Sequence, residues 1–331
     1  MKLRELYIKI VPDNIRNIID QFVIHKIRYF TCFVNYLIHN RDRFEHELSV
    51  VAICKNEGPY LKEWIDYHRL VGVDHFYIYD NESDDNTQAV LLPYIEAQIV
   101  TYHYVKNRLP NLKPQITVYK DAVKKYKNKT KWLAIIDLDE FIVPLSADTI
   151  TGVLMQIERT YTKKHIFVAL GIHWVVYGYG GHYKKPQGLV IENYTKSAGQ
   201  HKLIKSIVNP RTVVGFNNPH CAVHFWGLNG INENGKVIKN PPYENNDVSI
   251  KDIQKIRINH YFTKSYEEFV ERTERNRKLS ETEAYYKLDI PPFEIKTEED
   301  EKKWIDRICK FPDTQDMVMG KYVEKLKGVP S

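Results

Sequence analysis

Three acids follow directly on an apolar run in this sequence, at Ile135-Ile136-Asp137-Leu138-Asp139-Glu140-Phe141. A carboxylate beside a core segment is costly unless something compensates its charge. Acids kept at such a place therefore point to a bound ion. The segment Trp132 to Ile136 has the composition of a buried strand. Ligands of parallel sheets bind at the carboxyl ends of strands, where these acids fall. Asp137 and Asp139 are two apart, so a strand continued through them would point both to one face. Carboxylates placed in this way suit Mg2+ or Mn2+ shared with phosphate oxygens. Such an ion acts as a Lewis acid on a phosphate-bearing leaving group. The competing reading is a solvated acidic turn.

Two more polar clusters close apolar runs. Asp80-Asn-Glu-Ser-Asp-Asp-Asn-Thr87 follows His75 to Tyr79, and Cys54-Lys-Asn-Glu-Gly-Pro59 follows Leu48 to Cys54. The first offers acceptors for a base or ribose hydroxyl, with Ser83 or Asp84 expected to cap the next helix. Each alone reads as an ordinary turn.

The elements that must position these clusters are legible from periodicity. Strands are expected at Leu48 to Cys54, His75 to Tyr79, Ile99 to Tyr104 and Trp132 to Ile136. Between the first two, Pro59 starts a helix whose Leu61, Trp64, Ile65 and His68 share a face, and Gly72 stops it. Strands alternating with helices give an α/β fold with a parallel sheet and right-handed crossovers. After about residue 165 shorter strands with more Gly, Pro and Asn predict a mixed extension of the same sheet. Beyond Tyr261 the chain turns helical, with Ser265 and Glu268 forming a capping box. The charged stretch from about 295 to 327 predicts a surface helix or two.

Three regions follow: an arm at 1–46, a catalytic domain at 47–262 and a helical extension at 263–331. In the arm, Ile15 to Ile38 is apolar but interrupted by Asp20, His25, Lys26 and Arg28. It reads as an amphipathic helix that either lies on a membrane or packs on the domain. No secretory signal and no apolar run long enough to span a bilayer appear, so a cytoplasmic protein, peripheral on the inner face of the membrane, is expected. The 48 Lys+Arg against 42 Asp+Glu give a mild net charge of +6. No basic block interleaves with aromatics, which argues against nucleic acid. The four cysteines form no C-x-x-C pair, so neither a disulfide framework nor a structural zinc site is expected.

Taken together, the motifs resemble the glycosyltransferase family 2 superfamily and, more closely, glycosyltransferase family 92. The residues that carry this are Ile53-Cys-Lys-Asn-Glu57, Trp64-Ile-Asp-Tyr-His68, Tyr79-Asp-Asn-Glu-Ser-Asp84, Asp137-Leu-Asp-Glu-Phe141, Lys205-Ser-Ile-Val-Asn-Pro210 and Asn259-His-Tyr-Phe-Thr-Lys-Ser265. The resemblance implies a GT-A fold, a mixed and mainly parallel sheet flanked by helices with helical appendages at both ends. It implies inverting transfer from a UDP-sugar, galactose above others, to an oligosaccharide or glycolipid acceptor. Asn56, Glu57 and Asp80 would lie by the uridine and Asp137 by the ribose. Asp139 and His260 would hold Mn2+ (or Mg2+). Lys205 would meet the diphosphate, or is a surface lysine.

A base for the acceptor hydroxyl is sought among Glu192, Glu244 and Asp247. His182, His201, His220 and His224 are candidates for sugar contacts or for structural roles. Tyr177-Gly-Tyr-Gly-Gly-His182 departs from the family's Phe-Gly-Ser-Ser-Gly-His stretch, which leaves acceptor preference open. With no anchor in the sequence, a bacterial enzyme of surface polysaccharide or lipopolysaccharide synthesis is expected. A sugar-1-phosphate nucleotidyltransferase would need a Gly-rich basic loop where Lys55-Asn-Glu-Gly-Pro59 stands. The alternative from another class is a non-catalytic carbohydrate-binding or scaffolding protein on the same fold.

Overall fold

The computed structural model describes residues 13–39, 43–106, 114–161, 166–238, 253–272 and 314–329. In chain order its first half runs α1 (Asp13–His39), β1 (His46–Cys54), α2 (Gly58–Leu70), β2 (His75–Asp80), α3 (Thr87–Glu96), β3 (Val100–Tyr104), α4 (Pro114–Tyr126), β4 (Thr130–Ile135), β5 (Glu140–Pro144) and α5 (Ile150–Tyr161). The second half runs β6 (Ala169–Tyr177), α6 (Val190–Asn193), β7 (Lys196–Val208), β8 (Val213–Phe216), β9 (Ala222–His224), β10 (Ile256–His260), α7 (266–272), β11 (Thr314–Gln315) and α8 (Gly320–Lys327).

Strands β1 and β2 are buried on both faces, which is why they read as unbroken apolar runs rather than alternating ones. They sit in a mixed sheet of order β3-β2-β1-β4-β7-β6-β10-β5, with β11 added on β7. The β3-β2-β1-β4 half is parallel throughout. Cys54 pairs with Asp80 and Val51 with Ile135, so the three acid-bearing strand ends lie on one edge of adjacent strands. The expected extension joins the same sheet: β7 runs antiparallel to β4, and β10 lies parallel to β6. On the far side β5 turns back antiparallel to β10, with Glu140 directly opposite His260.

Helix α2 ties the sheet to the acid-bearing turn. Leu61, Trp64, Ile65, Tyr67 and His68 bury the predicted face, and Pro59 stands in its first turn. Beyond its C-terminus Gly72 adopts φ +93, a conformation that a side chain would strain. Three of the buried side chains reach β5. Trp64 Nε1 donates to the Glu140 carbonyl at 2.8 Å, and Tyr67 Oη donates to the Ile142 carbonyl at 3.0 Å. The His68 ring bridges the Trp64 carbonyl (2.8 Å) and the Ile142 amide (3.2 Å). Nε2 must therefore be the acceptor and Nδ1 the donor, which is the neutral ring.

Burial lowers the His68 pKa to about 3. The unfolded chain takes up this proton below about 6.5, so the stabilising contribution present at neutral pH is lost as the pH falls from there toward 3. His68→Gln should cost about 1–3 kcal/mol at pH 7.5 through the disturbed Ile142 amide. It should also flatten the fall in stability between pH 7.5 and 5, read from urea unfolding. An unchanged pH slope would show that His68 carries no such proton.

The arm does pack on the domain through its C-terminal part. Cys32 Sγ contacts the Arg211 carbonyl at 3.0 Å, and the Phe33 ring lies 5.6 Å from Phe225 and 4.2 Å from Trp226. Among the described residues no helix is long and apolar enough to cross a membrane. The capping box forms as expected: Glu268 N donates to Ser265 Oγ at 3.2 Å, and Glu268 Oε2 accepts from Ser265 N at 3.0 Å. At the C-terminus the expected surface helix is present as α8, with five of its eight residues exposed and one apolar side turned inward. Helix α8 buries Tyr322 and Leu326, with the Tyr322 ring 5.0 Å from that of Tyr67, because its apolar residues recur at helical spacing within a charged sequence. Residues 295–313 of that stretch lie outside the described residues.

Candidate functional site

The first two strand ends are locked to each other. Asn56 adopts φ 57, which Asn tolerates better than most residues. From there its side chain donates to Asp84 Oδ1 at 2.6 Å and accepts from the Asp84 amide at 2.9 Å, while its own amide donates to Ser83 Oγ at 2.9 Å. Asp85 accepts from the amides of Gly58 and Thr87, each at 2.9 Å. The expected cap of α3 by Ser83 or Asp84 is thus corrected: those two residues are engaged by Asn56, Asn86 stands at the N-cap without a side-chain cap bond, and Asp85 takes the Thr87 amide. Gly58 permits the approach, since a Cβ there would lie 2.1 Å from Asn86 Oδ1. Buried Asp80 accepts from the Ser83 amide and from Tyr102 Oη, both at 2.8 Å.

The third strand end departs from the simplest reading. Strand β4 stops at Ile135, so Asp137 and Asp139 lie in a turn, closed by Glu140 N donating to the Asp137 carbonyl at 3.2 Å. The shared-face argument fails for that reason, and the two acids meet different partners. Asp137 Oδ2 accepts from Lys205 Nζ at 2.7 Å, and its Oδ1 faces Tyr119 and Gln115, each at 3.4 Å. Lys205 is fully buried, which excludes a surface lysine, and it also stands 3.8 Å from Glu140 Oε1. Burial alone would lower its pKa, but Asp137 and Glu140 outweigh that and hold it above the ordinary lysine value.

Asp139 turns toward β10 and α7. Its Oδ2 lies 3.4 Å from His260 Nε2 and 3.0 Å from Arg272 Nη1. Burial pushes its pKa up, but His260, Arg272 and Lys264 overcome this and leave it well below the usual carboxylate range. Asp139, Glu140 and His260 each present one ligand atom within 4.8 Å of the others. Glu140 Oε1 has no hydrogen-bond partner despite its burial. An orphaned carboxylate oxygen beside an acid and an imidazole fits a divalent cation, and the two-oxygen, one-nitrogen donor set is compatible with Mn2+. Arg272 rests on the carboxylate that would hold the ion, so its guanidinium has to move aside for one to enter.

The cations were the part that sequence reasoning missed. Lys264, at φ 50, is buried, with Nζ 3.8 Å from Glu57 and 3.5 Å from the centre of the Tyr60 ring. It belongs to the Asn259–Ser265 motif, yet only the fold brings it to Glu57. Arg272 carried no motif signal at all. Glu140 stood in the acid cluster but was not singled out, because its pairing with His260 depends on two strands distant in sequence.

The remaining candidates are spread out. Glu192, on α6, pairs at the surface with Lys327 at 2.6 Å. Glu244 and Asp247 lie outside the described residues. His220 is nearest the acids: its ring is 5.3 Å from Trp174, which is itself 4.3 Å from His260, and burial first, then Lys205, lowers its pKa to about 4. His224 is fully enclosed and bonded to Thr212 Oγ1 at 2.8 Å. His182 contacts the Asn193 carbonyl at 3.2 Å, and His201 Nδ1 accepts from Leu203 N at 3.2 Å.

Comparison with known proteins adds the following. Residues 55–289 match the model of glycosyltransferase family 92. A glycosyltransferase family 92 protein of Oryza sativa subsp. japonica is 30% identical over 168 residues, 51% of this chain and 28% of that protein. A galactan beta-1,4-galactosyltransferase of Arabidopsis thaliana is 27% identical over 129 residues, 37% of this chain and 25% of that protein. The matches thus take in little more than a quarter of those relatives' length. The solved structure of S. aureus TarS 1-349 aligns over 85% of this chain and 83% of its own at 13% identity, with a TM-score of 0.36, too slight a likeness to carry an argument.

Proposed function

Since this chain belongs to glycosyltransferase family 92, we propose that it transfers galactose, with inversion, from UDP-galactose to a carbohydrate hydroxyl. The observation that carries this reading is the meeting of Asp139, Glu140 and His260 within 4.8 Å, on the strand edge that also bears Asn56, Glu57 and Asp80. In this scheme the interlocked β1 and β2 loops form the nucleotide side, with Glu57 and Asp80 turned to the uridine. Asp137, oriented by Lys205, serves the ribose. Asp139 and His260 hold Mn2+, with Glu140 as a third ligand. When bound, the ion supplies Lewis-acid neutralisation of the departing diphosphate.

The diphosphate itself we assign to Lys264 and Arg272. Lys205 is enclosed behind Asp137, whereas these two cations stand at the other side of Asp139. Arg272 leaves Asp139 as phosphate oxygens replace its partner, which exchanges one charge-assisted bond for another.

Calorimetry with UDP-galactose, other UDP-sugars, GDP-sugars and CMP-sugars, each with and without manganese, tests the reading. UDP-galactose should bind only when manganese is present, and Asp139→Ala should abolish the heat. Binding of no nucleotide-sugar would favour the non-catalytic carbohydrate-binding alternative.

A further inference from the structure

Helix α1 covers the domain with one face and leaves another uncovered. Cys32, Phe33 and Tyr36 turn to the segments around Arg211 and Phe225. Ile27, Phe30, Leu37 and Ile38 are instead 57%, 63%, 59% and 62% exposed. With 3.6 residues per turn these four fall within a sector of about 100°. Trp226 widens the stripe: it is 55% exposed, held at φ 53, and packed 4.2 Å from the Phe33 ring. A soluble surface seldom leaves large apolar side chains grouped in this way without a use.

The charge beside the stripe selects what covers it. From Gln21 through Arg41 the sequence has no Asp or Glu, but it contains Lys26, Arg28 and Arg41. Lys26 is exposed at the stripe's N-terminal end, while the guanidinium of exposed Arg28 turns toward Gly215 at the edge of the domain. A second copy docking through this face would offer these cations no acidic side chain, since 21–41 contains none. An anionic lipid surface answers both features, since it takes up apolar side chains and attracts the basic ones. We infer that α1 lies in the plane of an anionic bilayer, with Ile27, Phe30, Leu37 and Ile38 among the acyl chains and Lys26 at the headgroups. The opposite face then holds the catalytic domain against the membrane. This inference stands independently of the donor sugar.

Co-sedimentation of the full chain with phosphatidylcholine vesicles, with and without phosphatidylglycerol, tests it. The protein should bind the phosphatidylglycerol vesicles, less so as salt rises. The double variant Phe30→Glu/Leu37→Glu should bind at least about tenfold more weakly, because it places two charges in the stripe. Both residues face outward, so the melting temperature and donor affinity of the variant should match the wild type. Equal binding by wild type and variant would overturn the inference, as would binding indifferent to lipid charge. A wild-type dimer that ignores vesicles and is broken by the variant would overturn it too.

Discussion

Asp139→Ala should remove sugar transfer, with kcat lowered by about a thousandfold or more, while the protein stays folded. A thousandfold corresponds to about 4 kcal/mol of transition-state stabilisation, a scale that a Lewis-acidic ion reaches. The fold should survive because the Asp139 side chain is 17% exposed at the rim of the sheet and touches His260 and Arg272 rather than the apolar core. The expected record is a cooperative melting transition, lowered by loss of the ion pairs to His260 and Arg272, beside an inactive enzyme, measured by UDP release on a soluble acceptor. Because its pKa is depressed in the folded state, the wild-type carboxylate contributes stability above the unfolded value near 4 and loses it as the pH falls below that. Near-native turnover in the variant would remove Asp139 from the chemistry. An aggregated variant would make it a structural acid.

Lys205→Met should have the largest effect on stability. It leaves Asp137 and fully buried Glu140 without the ammonium group that stands 2.7 and 3.8 Å from them. Removing one partner from a buried ion pair costs about 3–5 kcal/mol, a drop of about 10 °C in melting temperature for a chain of this size. Adding Glu140→Gln should recover part of the loss, since a buried carboxyl that burial already pushes above the usual carboxylate range then becomes an amide that never ionises. The raised lysine pKa gives the sign: its contribution is complete below the unfolded value near 10.5 and is lost only at more alkaline pH. Calorimetric scanning at pH 7.5 decides it. A wild-type melting temperature in Lys205→Met would show that the pair contributes nothing net.

The parts of this molecule that depend on neighbours in sequence were legible before any coordinates. The runs His75 to Tyr79 and Trp132 to Ile136 announce the buried strands found at His75–Asp80 and Thr130–Ile135, and Leu61, Trp64, Ile65 and His68 announce the inner face of α2. Ser265 and Glu268 give their capping box away by spacing alone. What stayed hidden depends on residues far apart in the chain. The opposition of Glu140 and His260 needs the register of β5 on β10. The burial of Lys205 needs β7 to enter beside β4. The arrival of Lys264 at Glu57 needs the chain after β10 to return to the end of β1. The turn that separates the partners of Asp137 and Asp139 was lost because period-2 reasoning assumes that the strand continues.

Helix α2 is attached to both halves of the site. Its first residue, Gly58, is bonded to Asp85 in the turn after β2, while Trp64, Tyr67 and His68 are bonded to the backbone of Glu140 and Ile142. A helix of 13 residues is a stiff rod of about 20 Å. The span between the interlocked turns after β1 and β2 and the Asp139–Glu140–His260 cluster is therefore gauged by a rigid element rather than by loops. Surface loops of this fold are free to vary in length without changing that gauge, whereas a one-residue insertion within α2 would rotate its buried side chains by about 100° and throw the two ends out of step.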